Sequence, residues 1–251
     1  MVAVVPSAPL IVPQLTVGGA EESAVMREAC LDVAREMAAV ADRWVVIGAD
    51  FPADPAGTPT RPAHLRALRP VEGPAHGSWL GFGVDVRVSL TPDPAGPARA
   101  DLPLPVLIAG WLRGQVAPGV RATVELVDPG LPAAECRLAG EELAARLEPG
   151  TAVLVVGDGA TTHTEKAPGY LDERAGPFDA EVSKALAAGD PESLLGLDAA
   201  LAAELHAVGR APWQVMAGLA AAIGPRWDGE LRYSDAPYGV AYHVASWRRC
   251  G

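Results

Sequence analysis

Cysteine is scarce in this chain. Cys30, Cys136 and Cys250 are odd in number, widely spaced and without a C-x-x-C pair, so neither a disulfide framework nor a cysteine zinc site is indicated. A reducing cytoplasm suits three such thiols. Basic residues are few as well: 20 Lys plus Arg face 31 Asp plus Glu, for a formal net charge of -11. Nucleic acid and anionic membranes require a basic patch, so small molecules or protein partners are the expected ligands. No hydrophobic run approaches a membrane span. The apolar opening, MVAVVPSAPLIVPQL, is interrupted by prolines and lacks the basic start of a signal peptide.

Familiar catalytic signatures are also missing. Gly157-Asp158-Gly159 would need a glycine at 162 to complete a dinucleotide fingerprint, and Thr162 stands there. No G-x-x-x-x-G-K-[ST] loop occurs, Gly77-Ser78-Trp79 does not complete a nucleophile elbow, and no histidine pair has H-E-x-x-H spacing.

What is present is a 251-residue chain, 49% hydrophobic, with length for a real core. Val2 to Val5 and Trp44 to Ile47 read as buried strands on either side of a helix over 20–42, with Val25, Ala29, Val33, Met37 and Val40 on one face. Residues 52–76 are Pro-, Ala- and Gly-rich and read as a long loop. Further strands are expected over 83–90, 120–127, 152–156, 229–234 and 239–247. Helices are expected over 103–113, 139–147, 178–188, 194–209 and 213–223. This alternation predicts one α/β/α domain over residues 1–251, around a mixed, mostly parallel sheet. Ligands of such sheets collect at the carboxyl ends of the strands, which directs attention to residues 6–9, 48–52, 157–164 and 234–239.

His163 lies in one of these loops, after the most hydrophobic strand. An imidazole there can serve as a general base oriented by a nearby carboxylate; spacing alone equally describes a surface-loop histidine. Asp50 and Asp235 fall at strand ends, where they could meet a hard cation or polar substrate or simply cap a turn. His64 and His76 belong to the Pro-rich segment. His206, within a helix, and His243, within the last strand, read as structural.

Four segments in order carry a resemblance. Pro6-Ser7-Ala8-Pro9-Leu10, the strand ending Gly48-Ala49-Asp50, the loop Gly157 to His163 followed by Gly176-Pro177-Phe178-Asp179, and Tyr233-Ser234-Asp235-Ala236-Pro237-Tyr238-Gly239-Val240-Ala241-Tyr242 together resemble the class III extradiol ring-cleavage dioxygenases, the LigB-like family. The resemblance covers residues 2–247. It implies an α/β sandwich, ferrous iron held by two histidines and a glutamate, and a separate acid/base histidine, which falls on His163. The iron positions fall on Ser7, Asp50 and Asp235, and the substrate cleft on Ser7, Thr162, Pro237 and Tyr238. Ser7 and Asp50 replace imidazoles with oxygen groups, a harder donor set suited to magnesium, calcium or manganese if to any metal. The leading expectation is therefore a LigB-like cleft with a dismantled iron site, binding a small molecule or catalysing a non-oxidative reaction. The alternatives are a metal-dependent oxygenase using Asp50, Asp235 and His163 on another ion, and a Memo-like interaction protein presenting Trp79, Trp111 or Trp213 on one face. Homo-oligomers are common in the family.

Overall fold

The computed structural model of the protein describes residues 1–16, 20–50, 67–71 and 76–250. His64 and most of the expected loop over 52–76 lie outside the described residues.

The first strand, β1 (Val2–Val5), is four β-branched or small residues, all buried. A short run buried on both faces suits a central strand among parallel neighbours, and each valine contributes about 1.5–3 kcal/mol by leaving water. After two short 3₁₀ turns comes α1 (Ala20–Val40), then β2 (Arg43–Ala49) and the edge strand β3 (Leu68–Pro70). A small hairpin of β4 (His76–Ser78) and β5 (Arg87–Ser89) precedes α2 (Leu104–Val116), β6 (Arg121–Val127), α3 (Ala133–Arg146) and β7 (Thr151–Val156). Four helices follow, α4 (Ala175–Ala188), α5 (Pro191–Leu195), α6 (Ala199–Glu204) and α7 (Arg210–Ile223), and then β8 (Trp227–Asp235) and β9 (Tyr242–Arg249).

The sheet has seven strands in the order β3-β6-β2-β7-β1-β9-β8. The pairs β6-β2, β2-β7 and β7-β1 are parallel, while β3, β9 and β8 join antiparallel to their neighbours. The expected α/β sandwich around a mixed, mostly parallel sheet is what forms. One apolar layer packs α1 and α2 on one face, and a second packs α3, α4 and α7 on the other. The α3–α7 crossing is so close that a Cβ on Gly140 would lie 2.1 Å from the Val215 carbonyl oxygen, and one on Gly218 would lie 2.4 Å from that of Arg137. Backbone meets backbone there, so only glycine fits.

Several local expectations need correction. The buried stripe of α1 is Met26, Cys30, Val33, Ala34 and Met37, whereas Val25 and Val40 are exposed. At about 100° per residue, Val25 lies roughly 120° around the helix from the middle of this stripe, and Val40, its last residue, roughly 60° from it. Residues 83–90 form only the short β5, after a turn over Trp79–Phe82. The expected helix over 194–209 is split into α5 and α6. Asp190 accepts from the Glu192 and Ser193 N–H groups, and Asp198 from those of Ala200 and Leu201, so each aspartate starts its own helix. His206 follows α6 at a left-handed φ of 55° and is exposed, rather than lying inside a helix. Trp79, Trp111 and Trp213 are all buried, so they form no exposed aromatic face. Among the described residues, no helix is long and apolar enough to cross a membrane.

Candidate functional site

Beyond β7 the chain turns through Gly157–Ala160 across the carboxyl ends of the strands. The Gly159 N–H donates to the Ala241 carbonyl at 2.8 Å and the Ala241 N–H to that of Ala160 at 2.9 Å, which fastens this loop to the chain entering β9. The Ala160 N–H is left pointing at the carboxylate of Asp179, 3.2 and 3.3 Å from its two oxygens.

Asp179 occupies the inward stripe of α4, with Ala175, Phe178, Val182 and Leu186. A carboxylate on such a stripe is costly unless its oxygens are satisfied. Here His163 Nε2 lies 2.6 Å from Oδ2 and His243 Nε2 lies 3.1 Å from Oδ1. A carboxylate accepts, so the network assigns the proton of each neutral imidazole to Nε2 and leaves a lone pair on each Nδ1. The Nδ1 of His163 has no hydrogen-bond partner among the described residues. That of His243 faces Ser234 Oγ at 3.0 Å, with Ser183 Oγ 2.8 Å from Ser234 Oγ. Trp213 packs edge-on against the buried His243 ring, centroids 5.7 Å apart. His163, Asp179, Ser183, Ser234, Asp235 and His243 together line a cavity of about 250 Å³.

A second polar group lies nearby. Asp158 Oδ1 accepts the Ser7 N–H at 2.7 Å. Its carboxyl, on a half-buried residue just after β7, is pushed up to about 7 by loss of solvent, only partly opposed by the Ser7 hydrogen bond. Burial, and then the neighbouring Asp158 carboxylate, drive the Tyr242 phenol upward. Tyr242 and His243 are successive residues of β9 and so point to opposite faces of the sheet, which puts the two groups on different faces.

The expected site residues are therefore divided. His163 and Asp235 share the cavity, although Asp235 is exposed and spends Oδ1 on its neighbour's Ala236 N–H. Ser7 is buried beside Asp158. Thr162 is buried with its hydroxyl unpaired among the described residues, and Pro237 and Tyr238 sit in the β8–β9 turn; none of these three lines the cavity. Asp50 is fixed instead by a two-pronged ion pair with Arg69, at 2.7 and 2.8 Å. It follows β2, four strand positions from β8, which carries Asp235. At about 4.8 Å per strand this is roughly 19 Å across the sheet. Joint ligation by Asp50 and Asp235 does not occur.

The ferrous set implied by the resemblance does not fit these residues. Ser7 brings a hydroxyl where an imidazole is required, and the Asp50 carboxylate is closed by Arg69. Among the described residues, no group of three or more His, Cys, Asp or Glu is arranged to hold a metal ion. His76 Nδ1 lies 3.0 Å from the Gly96 carbonyl oxygen, and the residue is not part of the cavity lining.

Sequence reasoning missed His243, Ser183 and Ser234, and gave Asp179 no role. A signal existed for Asp179, a charge at a core position of an amphipathic helix, and for His243, a polar residue inside the apolar run Tyr242 to Trp247.

No family model matches the chain, and no curated protein matches it. Among solved structures it is similar to "uncharacterized protein JW3007 from Escherichia coli K12" at 13% identity, over 87% of this chain and 92% of that one, with a TM-score of 0.45.

Proposed function

We propose that this chain is a LigB-like protein whose cleft persists without the family's iron site, and that it binds a small polar or aromatic molecule for a non-oxidative acid–base reaction centred on His163. The observation that carries this reading is the 2.6 Å contact between His163 Nε2 and Asp179 Oδ2 at the cavity wall. The carboxylate orients the ring and stabilises the imidazolium formed when Nδ1 takes a proton. Oriented imidazoles of this kind contribute about 10²–10⁴-fold to proton transfer. Asp235 at the same wall favours neutral or cationic ligands over anions.

The reading includes a single domain, since strands from both ends of the chain, β1 and β9, pair in one sheet. It also includes a cytoplasmic setting, supported by three free thiols, two of them buried. The deciding experiment is metal analysis of protein purified without oxygen, together with titration by catechols and related polar aromatics. Saturable binding without stoichiometric iron, lost in His163→Ala, is expected. Stoichiometric iron with oxygen-dependent ring cleavage overturns the reading.

A further inference from the structure

The cavity contains a second arrangement that the acid–base role of His163 leaves unused. Ser234 and His243 are directly opposed across β8 and β9, so their side chains share a face. That pairing depends on a bulge: Leu231 opposes Ala245 and Tyr233 opposes Val244, which leaves Arg232 as the extra residue. A regular ladder continued from Leu231 would set Tyr233 opposite His243 and turn Ser234 away. Bulges commonly re-aim a side chain in this manner beside functional sites.

We propose that Ser234 is an activated nucleophile, with His243 as its general base and Asp179 as the group that orients that base, in a site for small neutral or amine-bearing acyl compounds. The inference rests on reading the cavity as a ligand cleft and adds a reaction class to it. Three features carry it. First, Asp179 fixes the His243 proton on Nε2 at 3.1 Å, so Nδ1 must accept, and the donor facing it is the Ser234 hydroxyl at 3.0 Å. Second, Ser183 Oγ lies 2.8 Å from Ser234 Oγ and 3.4 Å from His243 Nδ1, so a hydroxyl donated from Ser183 leaves the Ser234 proton to His243. Third, Ser234 is exposed at the cavity wall while His243 is buried, which pairs an accessible nucleophile with a shielded base. The ring nitrogens are interchanged relative to the usual Ser–His–Asp order, but such triads are recognised by geometry and role, and both nitrogens can relay a proton.

The chemistry closes without a co-reactant other than water. Ser234 Oγ bonds to the acyl carbon while its proton passes to His243 Nδ1 and the carbonyl π pair moves onto oxygen. Collapse re-forms the carbonyl and breaks the bond to the leaving alcohol or amine, which receives the proton from Nδ1. Water repeats the sequence, losing one proton to Nδ1 and releasing the acid as the Ser234 oxygen takes that proton back. Asp235 at the rim disfavours carboxylate-bearing substrates, and about 250 Å³ limits the acyl group to a small one.

The test is reaction of the full chain with an alkyl fluorophosphonate, in which the phosphorus–Oγ bond forms and fluoride leaves, read by intact mass and peptide mapping. One adduct per chain is expected, mapped to Ser234. It should be absent in Ser234→Ala, which removes only an exposed hydroxyl, and form at least about 100-fold more slowly in a folded His243→Gln variant. No adduct, an adduct on Ser183, or adducts spread over surface serines would each overturn the assignment. Saturable aromatic binding with no serine adduct removes this inference and leaves the earlier reading standing. An adduct on Ser234 without such binding does the reverse.

Discussion

Gly159 lies directly against Asp179: a Cβ at position 159 would sit 2.1 Å from Oδ1 and 2.8 Å from the Ala241 Cβ. The absent side chain is what allows the loop after β7 to reach the carboxylate and deliver the Ala160 N–H to it. Gly159→Ala should displace Asp179 and loosen both imidazoles. A loss of at least about 2 kcal/mol in urea unfolding is expected, in the range of core overpacking, with reduced ligand binding at His163. A variant as stable as the wild type would contradict this contact.

Asp179 gathers N–H donors from His163, His243 and Ala160. Asp179→Asn puts an amide NH₂ where an acceptor is needed, so one imidazole must change tautomer or lose its bond. A cost of about 2–3 kcal/mol is expected, typical of buried hydrogen bonds to a charged group. Nitrogen-15 NMR of the wild type should show both rings protonated on Nε2 when neutral, and the substitution should shift at least one of them to Nδ1–H.

The Asp158 carboxyl makes stability depend on pH. Its folded value of about 7 lies above the ordinary value of 3.8, so the folded state holds a proton that the unfolded chain releases. Stability from this group is therefore fully present below about pH 4 and is lost as pH rises through 7. Asp158→Asn keeps an oxygen for the Ser7 N–H and removes the buried charge. At pH 8 the variant should be more stable than the wild type by about 2 kcal/mol, discounted from the full shift because the residue retains some solvent contact. The advantage should vanish near pH 4. Denaturant midpoints at the two pH values check both parts.

The Asp50–Arg69 pair is well formed but largely at the surface, with the arginine side chain 53% exposed. Arg69→Ala should cost less than about 1 kcal/mol, and less still in high salt. Because Asp50 stands roughly 19 Å across the sheet from Asp235, the same variant should bind cleft ligands as the wild type does. A changed ligand affinity would show that Asp50 reaches the cavity.

The sheet was legible because strand patterning is local. Val2–Val5, Val120–Val127 and Ala152–Val156 announce themselves as short apolar, β-branched runs between proline, glycine and polar punctuation, and each appears within about one residue of its expected position. The helix over 194–209 was misread because its apolar spacing continues through Asp198, whose capping bonds begin a new helix. At the site, loop position alone described His163 equally well as a surface histidine, and the resemblance supplied its acid/base role. Ser7 and Asp50 were set by motif alignment, and motif order along the chain does not specify which strands end side by side.

The sequence by itself determined the strand–helix alternation, the acidic charge balance and the presence of a histidine loop after the most apolar strand, because each is written in neighbouring residues. Only the tertiary structure decided that His163, Asp179 and His243 meet. They come from a loop, a helix and a strand, separated by 16 and 64 positions. One extra residue in β8, Arg232, decided that Ser234 rather than Tyr233 faces His243. The side-chain period of a strand is two, so a one-residue bulge reverses every face beyond it.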